Sequence, residues 1–231
     1  MELQPNKNKQ LLIEVDGRSF ARYPIKTKLI TPQDKNIVSI VKEFTALHVA
    51  PGDIIFISEK AVAVTQGRSY HIKSIEPSFL AKFLSRHVTK TPVGIGLGSP
   101  ETMQLAIEEV GIITIVVAAA IGFVGKLFGF KGWFYMIAGE KARSIDGAVP
   151  YAIPPYNEYV SKGPVDAEGV AKKISQEMHA AVAIVDANDL GVNVLGTSTG
   201  VDKKLVAKVI KDNPLGQSDE QTPIGIIREV Q

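Results

Sequence analysis

Hydrophobic residues follow two different spacings along the chain, and each spacing predicts a different kind of element. Apolar segments at 10–15 and 19–23 lie on either side of Asp16-Gly17, which predicts a β-hairpin. Continuous apolar runs at 54–57 and 181–185 are typical of strands buried on both faces of a sheet. Further strands are expected at 61–65 and 69–72, as a second hairpin, and at 132–138 and 224–227.

Apolar residues three and four positions apart predict helices between these strands. In the first helix, Thr31 is the expected cap and Pro32 the first residue, and the helix is expected to end near Leu47. Other helices are expected at 79–84, 100–109, 164–179 and 202–211. This mixture predicts an α+β fold with mixed sheets and helices, formed by a single domain over residues 1–231 with a possible soft boundary near 75–90.

The most apolar segment, residues 110–125, contains no charged residue and stops at Lys126. A helix needs about 17–25 apolar residues to span a bilayer, so this run falls just short. Its β-branched first half predicts a buried strand at 112–117, followed by a small-residue helix in the core. The segment is therefore not expected to insert into a membrane, and a binding surface for a membrane or partner is a third functional class. An exposed apolar patch would more often form a dimer contact.

Charge and cysteine content exclude several kinds of function. Lys and Arg number 26 and Asp and Glu number 24, a net charge of +2 that is too balanced for a protein that coats nucleic acid. The absence of cysteine excludes disulfides, thiolate nucleophiles and cysteine-ligated metals. The first ten residues are polar and do not resemble a secretory signal, so a cytoplasmic location is expected.

Candidate chemistry lies where the strand at 181–185 ends. It is expected to stop at Asp186 and lead into an acidic loop, Ala187 to Gly191, that includes Asn188 and Asp189. Oxygen ligands at a strand end suit Mg²⁺ or Mn²⁺, although Asp and Asn also simply cap turns. Asp146, beside Gly147, could supply a second carboxylate from a distant part of the chain.

Other familiar motifs give little support to alternative chemistries. The glycine-rich segment 94–100 lacks the Gly-Lys-Ser/Thr of a phosphate-binding loop and the third glycine of a dinucleotide fingerprint. No two histidines stand at metal-ligand spacing, and no Gly-x-Ser-x-Gly nucleophile motif is present.

Several motifs together resemble the γ-glutamyl ligase family that elongates the deazaflavin coenzyme F420. Pro24-Ile25-Lys26-Thr27 with Leu29 to Asp34 is similar to the family's P-x-K-T-x-L-I-x-P-x-D pattern. Residues 51–60 with Gly67-Arg68 are similar to its G-D-I-I-x-x-S-x-K and G-R pattern. Segments 145–150 and 186–188 resemble two of its aspartate motifs. The resemblance extends from about residue 24 to residue 200.

The resemblance implies an α+β fold that assembles as an intertwined homodimer, and a ligase that joins L-glutamate to a carboxylate acceptor such as the F420 precursor through an acyl phosphate. It implies GTP, or ATP, as co-substrate and Mg²⁺ or Mn²⁺ as cofactor. Asp146 and Asp186 would be metal ligands, with Asn188 or a nearby backbone oxygen completing the shell. Lys60 and Arg68 would face the nucleotide phosphates, although such residues are more often solvated surface charges.

An alternative function uses the same scaffold without catalysis. Residues 189–194 carry no positive charge, whereas the family usually has arginines there. The alternative is therefore a protein that binds a nucleotide or a phosphorylated metabolite and does not turn it over.

Overall fold

The structure is a computed structural model that describes residues 3–88, 95–130, 132–188 and 191–230. The chain divides into two compact units. Unit 1 comprises Met1–Gly67 and Pro164–Gln231, and unit 2 comprises Arg68–Gly163. This division by contacts does not test the expected single domain with a soft boundary near 75–90, which stays a prediction.

Strands and helices are interspersed along the chain. The strands are β1 (Leu12–Val15), β2 (Arg18–Ile25), β3 (Ile54–Ser58), β4 (Ser69–His71), β5 (Tyr159–Ser161), β6 (Ala181–Asn188), β7 (Gly191–Thr197) and β8 (Ile224–Val230). The helices are α1 (Ile37–Thr45), α2 (Glu59–Thr65), α3 (Phe79–Ser85), α4 (Pro100–Val110), α5 (Ile112–Leu127), α6 (Trp133–Ala138), α7 (Glu140–Arg143), α8 (Ala167–Met178) and α9 (Lys203–Val209). The predicted α+β class with mixed sheets is confirmed. The family-specific fold and the homodimer stay predictions.

Unit 1 is built on a six-stranded sheet in the order β1-β2-β8-β3-β6-β7. Strands β3 and β6 are parallel, and every other neighbouring pair is antiparallel. The predicted hairpin around Asp16-Gly17 is confirmed as β1 and β2. One row of isoleucines crosses four neighbouring strands in register, because Ile25 pairs with Ile224, Ile224 with Ile57, and Ile57 with Ile184.

The core on one face of this sheet is densely packed around Phe56. Phe56, Ala183 and Val185 form a buried cluster with apolar residues of α9. Gly225, on the neighbouring strand, lies directly under the Phe56 ring, and a Cβ atom there would come within 2.3 Å of Phe56 Cζ. The phenyl ring therefore occupies the volume that any side chain at position 225 would need.

The predicted second hairpin is wrong. Residues 59–65 form the helix α2, whose residues Ala61 to Thr65 are all buried. A continuous apolar run of this length fits a buried helix as well as a buried strand, so the sequence alone could not distinguish them. Strand β4 pairs instead with β5, which sequence reasoning missed, in a two-stranded antiparallel sheet of unit 2.

The apolar segment of unit 2, residues 110–125, is helical except at Gly111. Helix α5 covers the predicted strand at 112–117, and α6 replaces the predicted strand at 132–138. Gly122 and Gly125 allow α6 to pack closely against α5, because a Cβ at Gly125 would come within 2.8 Å of Trp133 Cε3. Tertiary packing of this kind overrides the weak preference of Ile and Val for strands.

Two further boundaries differ from expectation. Helix α1 begins at Ile37, and Asn36 rather than Thr31 caps it by accepting hydrogen bonds from Val38 N and Ser39 N. Strand β6 continues past Asp186 to Asn188 and forms a hairpin with β7, where a loop was expected. Gly94 and Asp189 lie outside the described residues.

The two places where the chain passes between the units are tied by hydrogen bonds. In unit 1, the Gln66 side chain donates to Val165 O at 2.8 Å and accepts from Val165 N at 2.7 Å. In unit 2, Arg68 Nε donates to Gly163 O at 2.6 Å. Each unit therefore holds its own pair of chain ends together.

Within the described part of the chain, no single helix has the length and hydropathy needed to cross a bilayer. Helices α4 and α5 together reach that length and hydropathy, but the pair is bent by 118° at Gly111.

Candidate functional site

The candidate site lies at one edge of the unit 1 sheet, where three strands end. Strands β2, β3 and β6 run in the same direction, because β2 and β3 are both antiparallel to β8 and β6 is parallel to β3. Polar residues come after the isoleucine row in each of the three segments: Lys26-Thr27, Ser58-Glu59-Lys60, and Asp186 with Asn188. We call these residues the strand-end edge. Ligands of open sheets commonly bind beyond the carboxyl ends of such strands.

Strand β6 projects beyond its neighbour β3 at this edge. Ser58, the last residue of β3, pairs with Val185, so from Asp186 onward β6 pairs only with β7. Asp186 and Asn188 share a face because they are two positions apart, and Asn188 Nδ2 lies 3.4 Å from Asp186 Oδ1. Both side chains are half-buried, so they are held beside the sheet and still reach solvent.

Helix α2 brings Glu59 and Lys60 to the same edge. It begins directly after β3 and packs against both β3 and β6. Glu59 and Lys60 are half-buried. Ser58 pairs with Val185 on the neighbouring strand. Glu59 and Lys60 come directly after Ser58, and Asp186 comes directly after Val185, so the two segments continue from paired positions. The structure thus gathers Lys60, Asp186 and Asn188 at one edge.

The end of β2 is anchored rigidly. Buried Thr27 donates its backbone N–H to Gln221 O at 3.1 Å, and Gln221 Nε2 donates to Thr27 O at 2.6 Å. The Thr27 hydroxyl donates to Lys28 O at 2.7 Å. These bonds fix the backbone on the C-terminal side of Lys26, whose side chain is exposed. Lys26 therefore adds a second cation to the strand-end edge.

The loop after Thr27 is stabilised by hydrogen bonds to the Asp34 carboxylate. Asp34 accepts hydrogen bonds from Lys28 Nζ at 2.5 Å, Thr31 N at 2.8 Å and Thr31 Oγ1 at 3.0 Å. The Lys28 ammonium, followed by the Thr31 amide, holds the pKa of Asp34 below its ordinary value. Asp34, the aspartate of the P-x-K-T-x-L-I-x-P-x-D pattern, therefore stabilises the conformation of this loop.

The aspartate of the G-D-I-I pattern lies at the opposite end of β3. Buried Asp53 accepts from Arg228 Nε at 2.9 Å and Nη2 at 2.7 Å, and from Ala50 N at 2.7 Å. Hydrogen bonding to this carboxylate raises the pKa of Arg228 above its ordinary value. The geometry assigns Asp53 a structural task, joining β3 to the last strand β8.

Arg68 belongs to a charged network in unit 2. Its Nη2 donates to Glu109 Oε1 at 2.8 Å, while Lys162 Nζ lies 3.6 Å from Glu109 Oε2 and 3.3 Å from Glu108 Oε2. Arg68, Lys162 and Glu109 are largely buried. The Arg68 guanidinium is therefore paired with a carboxylate of unit 2. The expected role of Arg68 at the nucleotide phosphates stays a prediction.

Asp146 also lies in unit 2, and its side chain is exposed. Its backbone forms an isolated antiparallel bridge with Ser161, in which each N–H donates to the other C=O at 2.9 Å. Asp186 lies in unit 1, so the expected convergence of the two carboxylates on one metal stays a prediction.

The donor set at the strand-end edge fits one particular kind of metal binding. Among the described residues, no three Asp, Glu, His or Cys side chains are arranged to hold a metal ion. Mg²⁺ often takes only one or two protein carboxylates, with water and phosphate oxygens filling the remaining positions. The Asp186 carboxylate and the Asn188 amide oxygen suit that mode and do not suit an all-protein cage.

Sequence reasoning did not assign roles to Glu59, Lys26 or Thr27. Lys26 and Thr27 were visible in the motif, and Glu59 stands next to Lys60 after a buried strand. What the sequence lacked was the strand order, because β8, from the end of the chain, separates β2 from β3. Without that order, nothing indicates that residues 26–27 share an edge with residues 59–60.

The family model described as F420-0:Gamma-glutamyl ligase matches residues 24–208 of the chain. This range includes Lys26, Glu59, Lys60, Asp186 and Asn188. No curated protein matches the sequence.

Proposed function

This chain belongs to the F420-0:gamma-glutamyl ligase family, and from that membership we propose that it is a nucleotide- and divalent-metal-dependent ligase. The family indicates a ligase role in coenzyme F420 biosynthesis. The proposed reaction joins L-glutamate through an amide (γ-glutamyl) bond to a carboxylate acceptor such as the F420 precursor. GTP, or ATP, is the proposed co-substrate.

The observation that carries this proposal is the mixture of charges at the strand-end edge. Lys26 and Lys60 follow the ends of β2 and β3 and supply cations, while Asp186 and Asn188, near the end of β6, supply oxygen ligands. A triphosphate needs both kinds of partner, since its oxygens are neutralised by ammonium groups and by a metal that carboxylates hold. Rigid strand ends keep such groups in place before the substrate binds.

In the first proposed step, a carboxylate oxygen of the acceptor attacks the γ-phosphorus of the nucleotide. The bond between that phosphorus and the β–γ bridging oxygen breaks, which gives an acyl phosphate and a nucleoside diphosphate. Lys60 and Lys26 bind and orient the phosphates. Asp186, with Asn188, would hold Mg²⁺ or Mn²⁺, which would supply neutralisation of charge on the transferred phosphoryl group.

In the second proposed step, the amine of L-glutamate attacks the acyl carbon. A C–N bond forms, the C–O bond to phosphate breaks, inorganic phosphate leaves, and the nitrogen loses a proton. Water that reached the acyl carbon would hydrolyse the acyl phosphate and waste the nucleotide, so the site has to exclude water from that carbon. Orientation of the two substrates therefore contributes most of the proposed acceleration.

Calorimetric titration of GTP and ATP, with and without Mn²⁺, tests the nucleotide site. We expect binding that requires the metal and weakens by about tenfold or more in Asp186→Asn. Asp202→Asn is the matched control, because Asp202 only caps α9 by accepting from Lys204 N at 2.8 Å and Asn caps equally well. Asp146→Asn and Arg68→Gln, measured in the same way, test the two residues of unit 2.

Two outcomes would change the assignment. If folded wild-type protein binds neither nucleotide in the presence of metal, the ligase proposal is wrong. If it binds nucleotide but releases no phosphate with L-glutamate and a range of carboxylate acceptors, the non-catalytic binding protein is the better description.

A further inference from the structure

Helix α5 and the residues after it expose a continuous apolar surface. Ile113 is 77% exposed and Phe128 is 73% exposed, values far above those of core residues. We call this surface the α5 face. Its members are Ile112, Ile113, Val116, Val117, Phe123, Val124, Leu127, Phe128 and Phe130, with Met136 of α6 beside them.

The opposite side of α5 already packs within unit 2. Ile115, Ala118 and Gly125 are its buried residues, and Gly125 lies against the Trp133 ring. A surface helix of a soluble domain normally turns polar residues outward. Helix α5 is apolar on both sides, so the α5 face is not needed for the packing of unit 2.

The exposed side of α5 has almost no hydrogen-bonding capacity. From Ile112 to Phe130, the exposed residues are apolar or glycine, with Lys126 as the exception. Protein interfaces carry a polar rim and about one hydrogen bond per 100–200 Å². A second protein copy would find few such partners here, whereas the acyl region of a bilayer needs none.

Charge and aromatic residues around the α5 face favour an anionic membrane. Between Glu109 and Glu140 the sequence contains no acidic residue, but it contains Lys126 and Lys131. Aromatic side chains cluster at the end of α5, where Phe130 stacks on Trp133 at 5.2 Å between ring centroids. Aromatic rings and lysines are typical of the level of lipid headgroups.

We propose that the α5 face docks on the surface of an anionic lipid bilayer. Helix α5, of 16 residues, lies in the plane of the interface with its exposed side among the upper acyl chains. Phe128, Phe130 and Trp133 sit at headgroup level, and Lys126 contacts lipid phosphates. The proposal takes up the third functional class, a membrane-binding surface, and does not require a helix that spans the bilayer. The proposal is independent of the ligase proposal.

Trp133 offers a direct measurement, because it is the only tryptophan of the chain. Full-length protein is mixed with vesicles of phosphatidylcholine alone, or of phosphatidylcholine with one quarter phosphatidylglycerol. We expect co-flotation with the anionic vesicles and a shift of tryptophan emission to shorter wavelength. Acyl chains brominated close to the headgroup should quench the same emission, because they place the quencher just below the level proposed for the ring.

Two glutamate variants and one matched control locate the contact. Ile113→Glu and Phe128→Glu change exposed side chains and should each lower the partition coefficient by roughly tenfold or more. Leu47→Glu introduces the same charge at a 95% exposed leucine of unit 1 and should bind like wild type. Lys126→Gln should weaken binding about fivefold to anionic vesicles only.

Three results would overturn the proposal. The first is that wild-type protein neither floats with the anionic vesicles nor shows a fluorescence shift. The second is that the two glutamate variants bind as well as Leu47→Glu. The third is that light scattering shows a dimer that Ile113→Glu converts to monomer while vesicles leave the protein unbound, since a second copy would then be the occupant.

Discussion

Asp53→Asn tests whether the G-D-I-I aspartate is a structural residue. Asp53 is 1% exposed and accepts three hydrogen bonds, two of them from the Arg228 guanidinium. Asparagine keeps the shape but removes the charge, and it turns an NH₂ group toward a donor. Removing one partner of a buried ion pair typically costs about 3–5 kcal/mol. Because Arg228 is 33% exposed, water can partly rehydrate it, so the lower end of that range applies.

We therefore expect Asp53→Asn to lower the free energy of unfolding by about 3 kcal/mol, which corresponds to a fall in Tm of about 6–12 °C for a chain of this size. Urea unfolding followed by far-ultraviolet circular dichroism measures the free energy. Hydrogen exchange of the β3 amides localises the loss, since Asp53 directly precedes that strand. Nucleotide binding by the folded variant should be unchanged, because Asp53 lies at the end of β3 opposite the strand-end edge.

Asp16→Asn is the matched control. It removes the same charge from an exposed ion pair, in which Asp16 lies 2.8 Å from Lys208 and both side chains are more than half exposed. Such surface pairs contribute about 0–1 kcal/mol. If Asp53→Asn costs less than about 1 kcal/mol, or no more than Asp16→Asn, then the Asp53–Arg228 pair does not stabilise unit 1.

Three further predictions follow from contacts in the two units. Gly225→Ala should lower the free energy of unfolding by about 1–3 kcal/mol in urea titration, because its Cβ would overlap the buried Phe56 ring; unchanged stability would show that the ring has room to move. Asp34→Asn should lower Tm more at pH 6 than below about pH 3.8. The pKa of Asp34 is lower in the folded protein than in the unfolded chain, so the ionised carboxylate stabilises the fold above the unfolded pKa, and this stabilisation is lost as the pH falls through the folded pKa. A difference in Tm that does not change with pH would contradict this. Gly125→Ala should shift Trp133 emission to longer wavelength by separating α6 from α5, and an unchanged spectrum would refute that packing.

The sequence predicted the elements whose signals are local. The hairpin at Asp16-Gly17 has its own turn residues, and the strand at 54–57 is bounded by Pro51-Gly52 and by polar residues. Helix α4 carries a complete start signal, since Ser99 accepts from Thr102 N and Pro100 stands at its first position. In these cases the neighbouring residues alone determine the outcome.

The elements that were predicted wrongly depend on distant partners. Residues 61–65 and 112–117 are apolar runs that suit a buried strand or a helix equally, and packing decides between the two. Strand β7 was missed because Gly191, Asn193 and Gly196 are poor strand formers. Gly196 is nevertheless required there, since a Cβ would come within 2.4 Å of the backbone at Ala167 and Glu168.

The candidate site was predicted in part for the same reason. Asp186 comes directly after an evident buried apolar run, so the sequence indicates a carboxylate near a strand end, and the structure has it within the last three residues of β6. That Lys60 shares its edge depends on the parallel pairing of β3 with β6, two strands more than a hundred residues apart. Parallel pairing requires a crossover connection, and no local pattern records which strands it joins.

The hydrogen bonds at the two chain crossings have a consequence for how the protein can be divided. Closing a long flexible loop costs entropy that grows with the logarithm of its length. Once unit 2 has folded, the hydrogen bond between Arg68 and Gly163 holds the two ends of unit 2 together. In unit 1, the hydrogen bonds between Gln66 and Val165 likewise join the two segments from which the chain leaves and to which it returns. Unit 2 thus has the topology of an insertion, so a chain with Gly67 joined to Pro164 by a short linker preserves the connectivity of every strand in the six-stranded sheet.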